Sequence, residues 1–161
     1  VVNLLSYILP AVFAITCYYD VRFLRIPNWV ILLLIVLYGI DQWGGTSSLS
    51  PPIHETWLTV VISFILCLIL YSTRIIGAGD AKLLPTTMLW LGQHQIYPFV
   101  MAMAITGGIL AVITIGLSRI KPELPPLFSA SKWLAGATDG GNQIPYGVAI
   151  SGGFLIVFYL F

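Results

Sequence analysis

Tyr18-Tyr19-Asp20-Val21-Arg22-Phe23-Leu24-Arg25-Ile26-Pro27-Asn28 joins two apolar runs, residues 4–19 and 29–40. One acid and two arginines interrupt a stretch that is otherwise apolar. The first run approaches the roughly 20 residues that a membrane-crossing helix needs. Four more runs follow, at residues 57–72, 82–92, 97–117 and 144–161. Of the 161 residues, 58% are hydrophobic and 8% charged, whereas a water-soluble domain carries about 25% charged residues. The runs do not alternate apolar with polar residues, as the strands of a membrane barrel do. Composition and spacing therefore predict an all-α, polytopic membrane protein: one integral-membrane domain over residues 1–161 with about six transmembrane helices.

The lysines and arginines orient these spans. Arg22 and Arg25 follow the first run, Arg74 and Lys82 flank the loop after the third, and Arg119, Lys121 and Lys132 follow the fifth; these are all seven basic residues. Asp41, His54, Glu55 and His94 occupy the other two loops. Positive charge stays in the cytoplasm, so the first, third and fifth loops are expected there and both termini outside. Trp29, Trp43, Trp57, Trp90 and Tyr97 sit near segment ends, where interfacial aromatics belong. The first run lacks a basic leading region and a small-residue cleavage site, which marks a retained helix rather than a signal peptide.

Net charge is +1, which gives no electrostatic case for nucleic acid. Cys17 and Cys67 lie inside apolar runs as core-filling residues, and no Cys-x-x-Cys pair suggests a metal. Neither a metal nor a cofactor is expected. Ala104 with Gly108, Gly107 with Ala111, and Ala149 with Gly153 form small-xxx-small pairs that let helix backbones approach closely. The longest loop, residues 118–143, opens with Lys121-Pro-Glu-Leu-Pro-Pro126. It continues as a short interfacial helix over residues 127–134, with Phe128, Trp133 and Leu134 toward lipid, and ends in the turn signal Asp139-Gly-Gly141. Lid, docking surface and connector all fit it.

The chemistry rests on carboxylates. Asp41 and Glu55 fall in the outer loop; Glu123 and Asp139 read as ordinary surface acids. Asp20 ends a long apolar helix, where an acid is costly and usually faces the bundle interior; pairing with Arg22 or Arg25 is the bland alternative. The second polar block, Gly77-Ala-Gly79-Asp80-Ala-Lys82, puts Asp80 near a helix start, where a cap would account for the acid but not for both glycines. By the charge argument Asp20 and Asp80 lie at the same membrane face. Two neighbouring carboxylates do not both ionise easily and share one proton, so the pair is equipped for acid/base work on a peptide bond.

Three blocks in order resemble the prepilin peptidases, bacterial membrane aspartic proteases with a Gly-x-Gly-Asp motif. They are Asp20 with Arg22, Arg25, Ile26, Pro27 and Asn28; Gly77, Gly79 and Asp80 with Lys82; and Pro145-Tyr146-Gly147 opening the last helix. The resemblance implies Asp20 and Asp80 as the catalytic pair, with the other block residues in support. It implies a prepilin or pseudopilin substrate, cut at the cytoplasmic face of the bacterial inner membrane after a short basic leader, and a pilus assembly machinery as neighbour. The larger members carry paired Cys-x-x-Cys motifs and methylate the new N-terminus; this chain lacks them, so no methyltransferase activity is expected. Its size resembles the short members that serve Flp-type (tight-adherence) pili. Archaeal preflagellin peptidases share the Gly-x-Gly-Asp block. Presenilin-like proteases share Tyr-Asp, but their Pro-Ala-Leu motif is absent. From other classes, a small proton-coupled transporter and a structural subunit of a secretion complex remain as rivals; the transporter is expected to carry acids near the bilayer midplane and an internal repeat.

Overall fold

The computed structural model describes residues 2–43, 49–120, 131–139 and 144–160. Among them it contains seven α-helices, one 3-10 turn and no strand. The helices are α1 (Val2–Phe23), α2 (Asn28–Trp43), α3 (Ile53–Ser72), α4 (Ala78–Leu91), α5 (Ile96–Ile120), α6 (Lys132–Thr138) and α7 (Tyr146–Leu160). Among the described residues, three stretches are long and apolar enough to cross a membrane: Leu4–Phe23, Ile53–Ser72 and Gln93–Ile120. α2 and α7 are apolar but shorter. All six apolar runs of the sequence are helical along most of their length, and the short fourth run starts as helix earlier than its apolar character does, at Ala78.

α1, α2, α4, α5 and α7 enclose the main core, built on Leu9, Phe13, Leu34, Leu83, Phe99 and Phe154. Phe13 stacks on Phe154 at 4.1 Å between ring centroids, fixing α1 against α7. α3 leaves most of its surface outside, with Val61, Ile62, Ile65, Leu66 and Ile69 exposed, as suits a helix facing lipid. The α5–α7 seam uses part of the small-residue pattern. A Cβ on Gly153 would stand 2.9 Å from the Met103 nitrogen, and one on Gly107 would stand 3.5 Å from the Ala149 Cβ. Gly108 faces open space and Ala104 is exposed, so that pair does not serve the seam.

Three expectations are corrected. Trp90 is not an interfacial aromatic but is buried, packed edge-on against Tyr38 at 5.7 Å; Trp29, Trp43, Trp57 and Tyr97 are exposed at helix ends. The helix of the long loop runs over Lys132–Thr138, and Trp133 points inward. Trp133 is buried beside Leu110 and Ala149, and its indole N–H donates to Thr114 Oγ1 at 3.1 Å, which satisfies the polar atom that burial would otherwise leave unpaired. Asp41 and Glu55 belong to α2 and α3 rather than to a loop. The Pro-rich stretch with Glu123, and Phe128, lie outside the described residues, as do Gly140 and Gly141 of the turn.

Two helix ends shape the polar end of the bundle. α1 stops because Leu24 turns into the left-handed region, φ 51°, its amide closing on the Asp20 carbonyl at 2.8 Å. α3 stops at Arg74, φ 59°. There Ile75 N bonds Leu70 O at 3.0 Å and Arg74 N bonds Tyr71 O at 2.9 Å, the paired bonds of a Schellman end. Glycine usually takes that position; a bulky residue there is uncommon. Both reversals deliver the chain to the same place.

Candidate active site

Asp20 lies in the last turn of α1, only 5% exposed. Its Oδ2 accepts the Val148 amide at 3.2 Å. That N–H is shared, since it also meets the Pro145 carbonyl at 3.2 Å. Val148 is in the first turn of α7, so Asp20 meets the positive end of that helix. Gly147 makes the approach feasible: a Cβ there would stand 2.8 Å from Asp20 Oδ2 and 3.0 Å from Cγ.

Asp80 is the third residue of α4, whose N-cap is Gly77. It is therefore inside the first turn rather than the cap that the sequence allowed. Its carboxylate reaches back to the Gly77 amide, the geometry of a third-position acid in a capping box. A Cβ on Gly77 would stand 3.1 Å from Asp80 Oδ2, so this glycine too makes room for an acid. Asp80 precedes the apolar run that begins at Lys82. Burial pushes its carboxyl up to about 7, the Asp20 charge adds to the rise, and the Gly77 amide opposes it.

The two acids, remote in sequence, line the same two cavities. One, about 350 Å³, is walled by Arg25, Ile26, Asn28, Gly77, Gly79 and Lys82. The other, about 490 Å³, is walled by Leu24, Arg74, Ile75, Ile144 and Tyr146. A third space of about 350 Å³ is apolar, bounded by Leu70, Leu84, Met103 and Ile150, and Asp80 stands at its edge. Thus Asp20, Asp80, Gly77, Gly79, Arg25, Asn28, Lys82 and Tyr146, all named from the sequence, line one or both of these two cavities. Lys82 Nζ donates to Asn28 Oδ1 at 3.1 Å, tying the first polar block to the second. Pro27 and Pro145 sit beside the site, their carbonyls taking the amides that open α2 and α7.

Arg22 is not among the residues that line these cavities. Its guanidinium donates to the Tyr18 hydroxyl and lies over the Tyr18 and Phe23 rings, 5.7 and 5.6 Å from their centroids. On the last turn of a helix, Arg22 projects from a different face than Asp20, two residues before it. Two participants escape sequence reasoning. The Val148 amide is a backbone group, and no side-chain pattern announces it. Arg74 reads from the sequence only as a marker of orientation; the turn after α3 carries it to a cavity wall.

The Type IV leader peptidase family model matches residues 7–112. The chain belongs to that family. Both acids and both of the first two polar blocks fall inside the matched stretch, while Pro145-Tyr146-Gly147 lies beyond it. No match was found among curated proteins or among solved structures. Membership of the leader peptidase family makes the chain a peptidase, and its long apolar helices accord with a membrane peptidase.

Proposed function

We propose that this leader peptidase is an aspartic endopeptidase in which Asp20 and Asp80 act as one dyad. The observation that carries the reading is that these acids, brought from α1 and α4, line the same pair of cavities. Family membership supports a prepilin-like substrate. The finer reading is a prepilin or pseudopilin of the Flp type, relieved of a short basic leader without methylation of the product, next to a pilus assembly machinery.

The dyad holds one proton between two carboxyls. The ionised carboxylate takes a proton from water as the water oxygen bonds to the scissile carbonyl carbon. The protonated carboxyl donates to the carbonyl oxygen; the proton taken from water then passes to the leaving nitrogen as the C–N bond breaks, and the other carboxylate recovers a proton from a hydroxyl of the tetrahedral intermediate. Leader acid and mature amine result, and the dyad again holds one proton. The reading includes a single domain with six spans in the bacterial inner membrane, both termini outside and the dyad at the cytoplasmic face. It draws on the clustering of Arg25, Arg74 and Lys82 around the acids, which under the positive-inside rule belong to the cytoplasm.

Co-expression with an Flp-type prepilin tests it, with leader removal read as a gel shift. Wild type is expected to cleave, and Asp20→Asn and Asp80→Asn at matched membrane levels are not. Cleavage that survives either substitution would remove that acid from the mechanism.

A further inference from the structure

Ile26 stands where the three polar blocks meet. It is buried and lines the cavity that holds both acids. On one side it presses on the first turn of α4: a Cβ on Gly79, next to Asp80, would stand 3.0 Å from Ile26 Cβ and 3.3 Å from its nitrogen. On the other side it presses on the first turn of α7: a Cβ on Gly147 would stand 2.8 Å from Ile26 Cδ1. That same Gly147 position is 2.8 Å from Asp20 Oδ2. One side chain therefore spans from the glycine beside Asp80 to the glycine that seats Asp20.

The strut is stiff for local reasons. Proline at 27 restricts residue 26 to extended backbone. Leu24, held at φ 51°, fixes the approach from α1. Branching at Cβ limits the first side-chain torsion. Bare glycine backbone on both sides gives contacts that cannot yield by rotating a side chain. Valine is equally apolar and keeps the Cβ beside Gly79, but it has no δ carbon to reach Gly147.

We propose that Ile26 is a positioning residue, the strut that sets the separation between the α4 turn carrying Asp80 and the α7 turn seating Asp20. This rests on the dyad reading above. Shortening the strut is expected to change the spacing of the carboxyls, and hence how strongly each feels the charge of the other.

The test compares Ile26→Val, which loses Cδ1, and Ile26→Ala with the remote core truncation Val157→Ala. Purified protein in lipid nanodiscs is assayed on a labelled segment with a basic leader ending in glycine followed by an apolar stretch. The expected result is a kcat lowered about 10-fold in Ile26→Val and about 100-fold in Ile26→Ala, as misplacement on the ångström scale produces. KM is expected to stay within about twofold, because substrate-binding walls are otherwise intact. The two limbs of the pH–rate profile should move relative to each other in both Ile26 variants and not in Val157→Ala. In the kinetic variants Arg25, Lys82, Arg74 and Tyr146, which line the cavities with the pair, are unchanged, as are Cys17 and Cys67, which feel the charge of Asp20 and Asp80, so none of them generates the difference. Spin labels at Ala78→Cys and Tyr146→Cys, with Cys17 and Cys67 replaced by alanine, report the spacing of the helix starts without any activity. That distance should shift in Ile26→Ala. A pH profile that superimposes on wild type, or an unchanged label distance, overturns the proposal. Retained cleavage by Asp20→Asn or Asp80→Asn instead sinks the dyad, and the label distance then still decides whether Ile26 is a strut.

Discussion

Asp41 and Asp20 are hidden to the same degree, 4% and 5% exposed, in opposite circumstances. Asp41 lies near the far end of α2, about 20 Å along the axis from Asn28 at the site. Its Oδ2 accepts both the hydroxyl and, at 3.2 Å, the amide of Ser50. Gln42 and Tyr38 bond the Pro51 carbonyl at 3.1 and 3.0 Å, so the whole group clamps residues 50–51 onto α2. Asp20 instead receives an amide that a carbonyl already shares, and it faces two cavities together with a second acid. Burial by itself therefore does not single out a candidate for chemistry. What distinguishes the two is a pair of cavities shared with a second acid, against bonds that tie down a neighbouring segment.

Exchanging each acid gives the largest expected contrast. Asp20→Asn and Asp80→Asn should each lower leader cleavage by at least ~100-fold, and the double variant should be no worse than either single, since the two act as a unit. Asp41→Ala should cleave at the wild-type rate per folded molecule. It should lose ~1–3 kcal/mol of stability through the orphaned Ser50 donors, read as a lower melting temperature. Abolished cleavage in folded Asp41→Ala would break the contrast between the two ends.

Glycine substitutions sharpen it. Gly147→Ala drives a methyl into Asp20 and Ile26 and should reduce kcat by about 10- to 100-fold. Gly107→Ala, whose new Cβ makes an ordinary 3.5 Å contact with Ala149, should leave kcat within about twofold. Equal losses would show that the α7 start matters only as packing.

A smaller effect is a stability cost that depends on pH. The Asp80 carboxyl is raised to about 7 in the folded protein, above its value of about 4 in an unfolded chain. A raised acid contributes its full stability below the unfolded value, and that contribution is lost as pH rises through the folded one. Asp80→Asn should thus melt higher than wild type at pH 8, with the gap shrinking toward pH 4. Melting scans across that range check the sign; a gap that widens toward acid refutes it. The smallest effect is expected at Lys82, whose bond to Asn28 is exposed. Lys82→Met should cost no more than about 1 kcal/mol and leave cleavage within a few-fold; a larger rate loss would put the ammonium on the substrate.

Much of the fold and of the site is legible in the amino-acid sequence. Long uncharged runs admit few folds in lipid, because every backbone polar group must be satisfied within its own helix, so residues 57–72 and 97–117 could hardly be anything else. The acids stand out because charge is rare in this chain, and Gly77 and Gly79 flag a close approach. What the sequence does not carry is direction and partnership. Trp133 and Trp90 look like interfacial aromatics until Thr114 and Tyr38 are found against them, since amphipathic rings suit either setting. Arg22 and Arg25 read alike, yet one lies over Tyr18 and Phe23 and the other lines the cavity.

By itself the amino-acid sequence determined the helical class, the family blocks and the two candidate acids, because these follow from composition and from local order along the chain. Only the tertiary structure decided that Asp20 sits on the start of α7, that Asp80 is third in its helix rather than a cap, and that Ile26 bridges the two glycines. Each of those depends on backbone groups and distances between elements remote in the chain, and a residue's identity encodes neither.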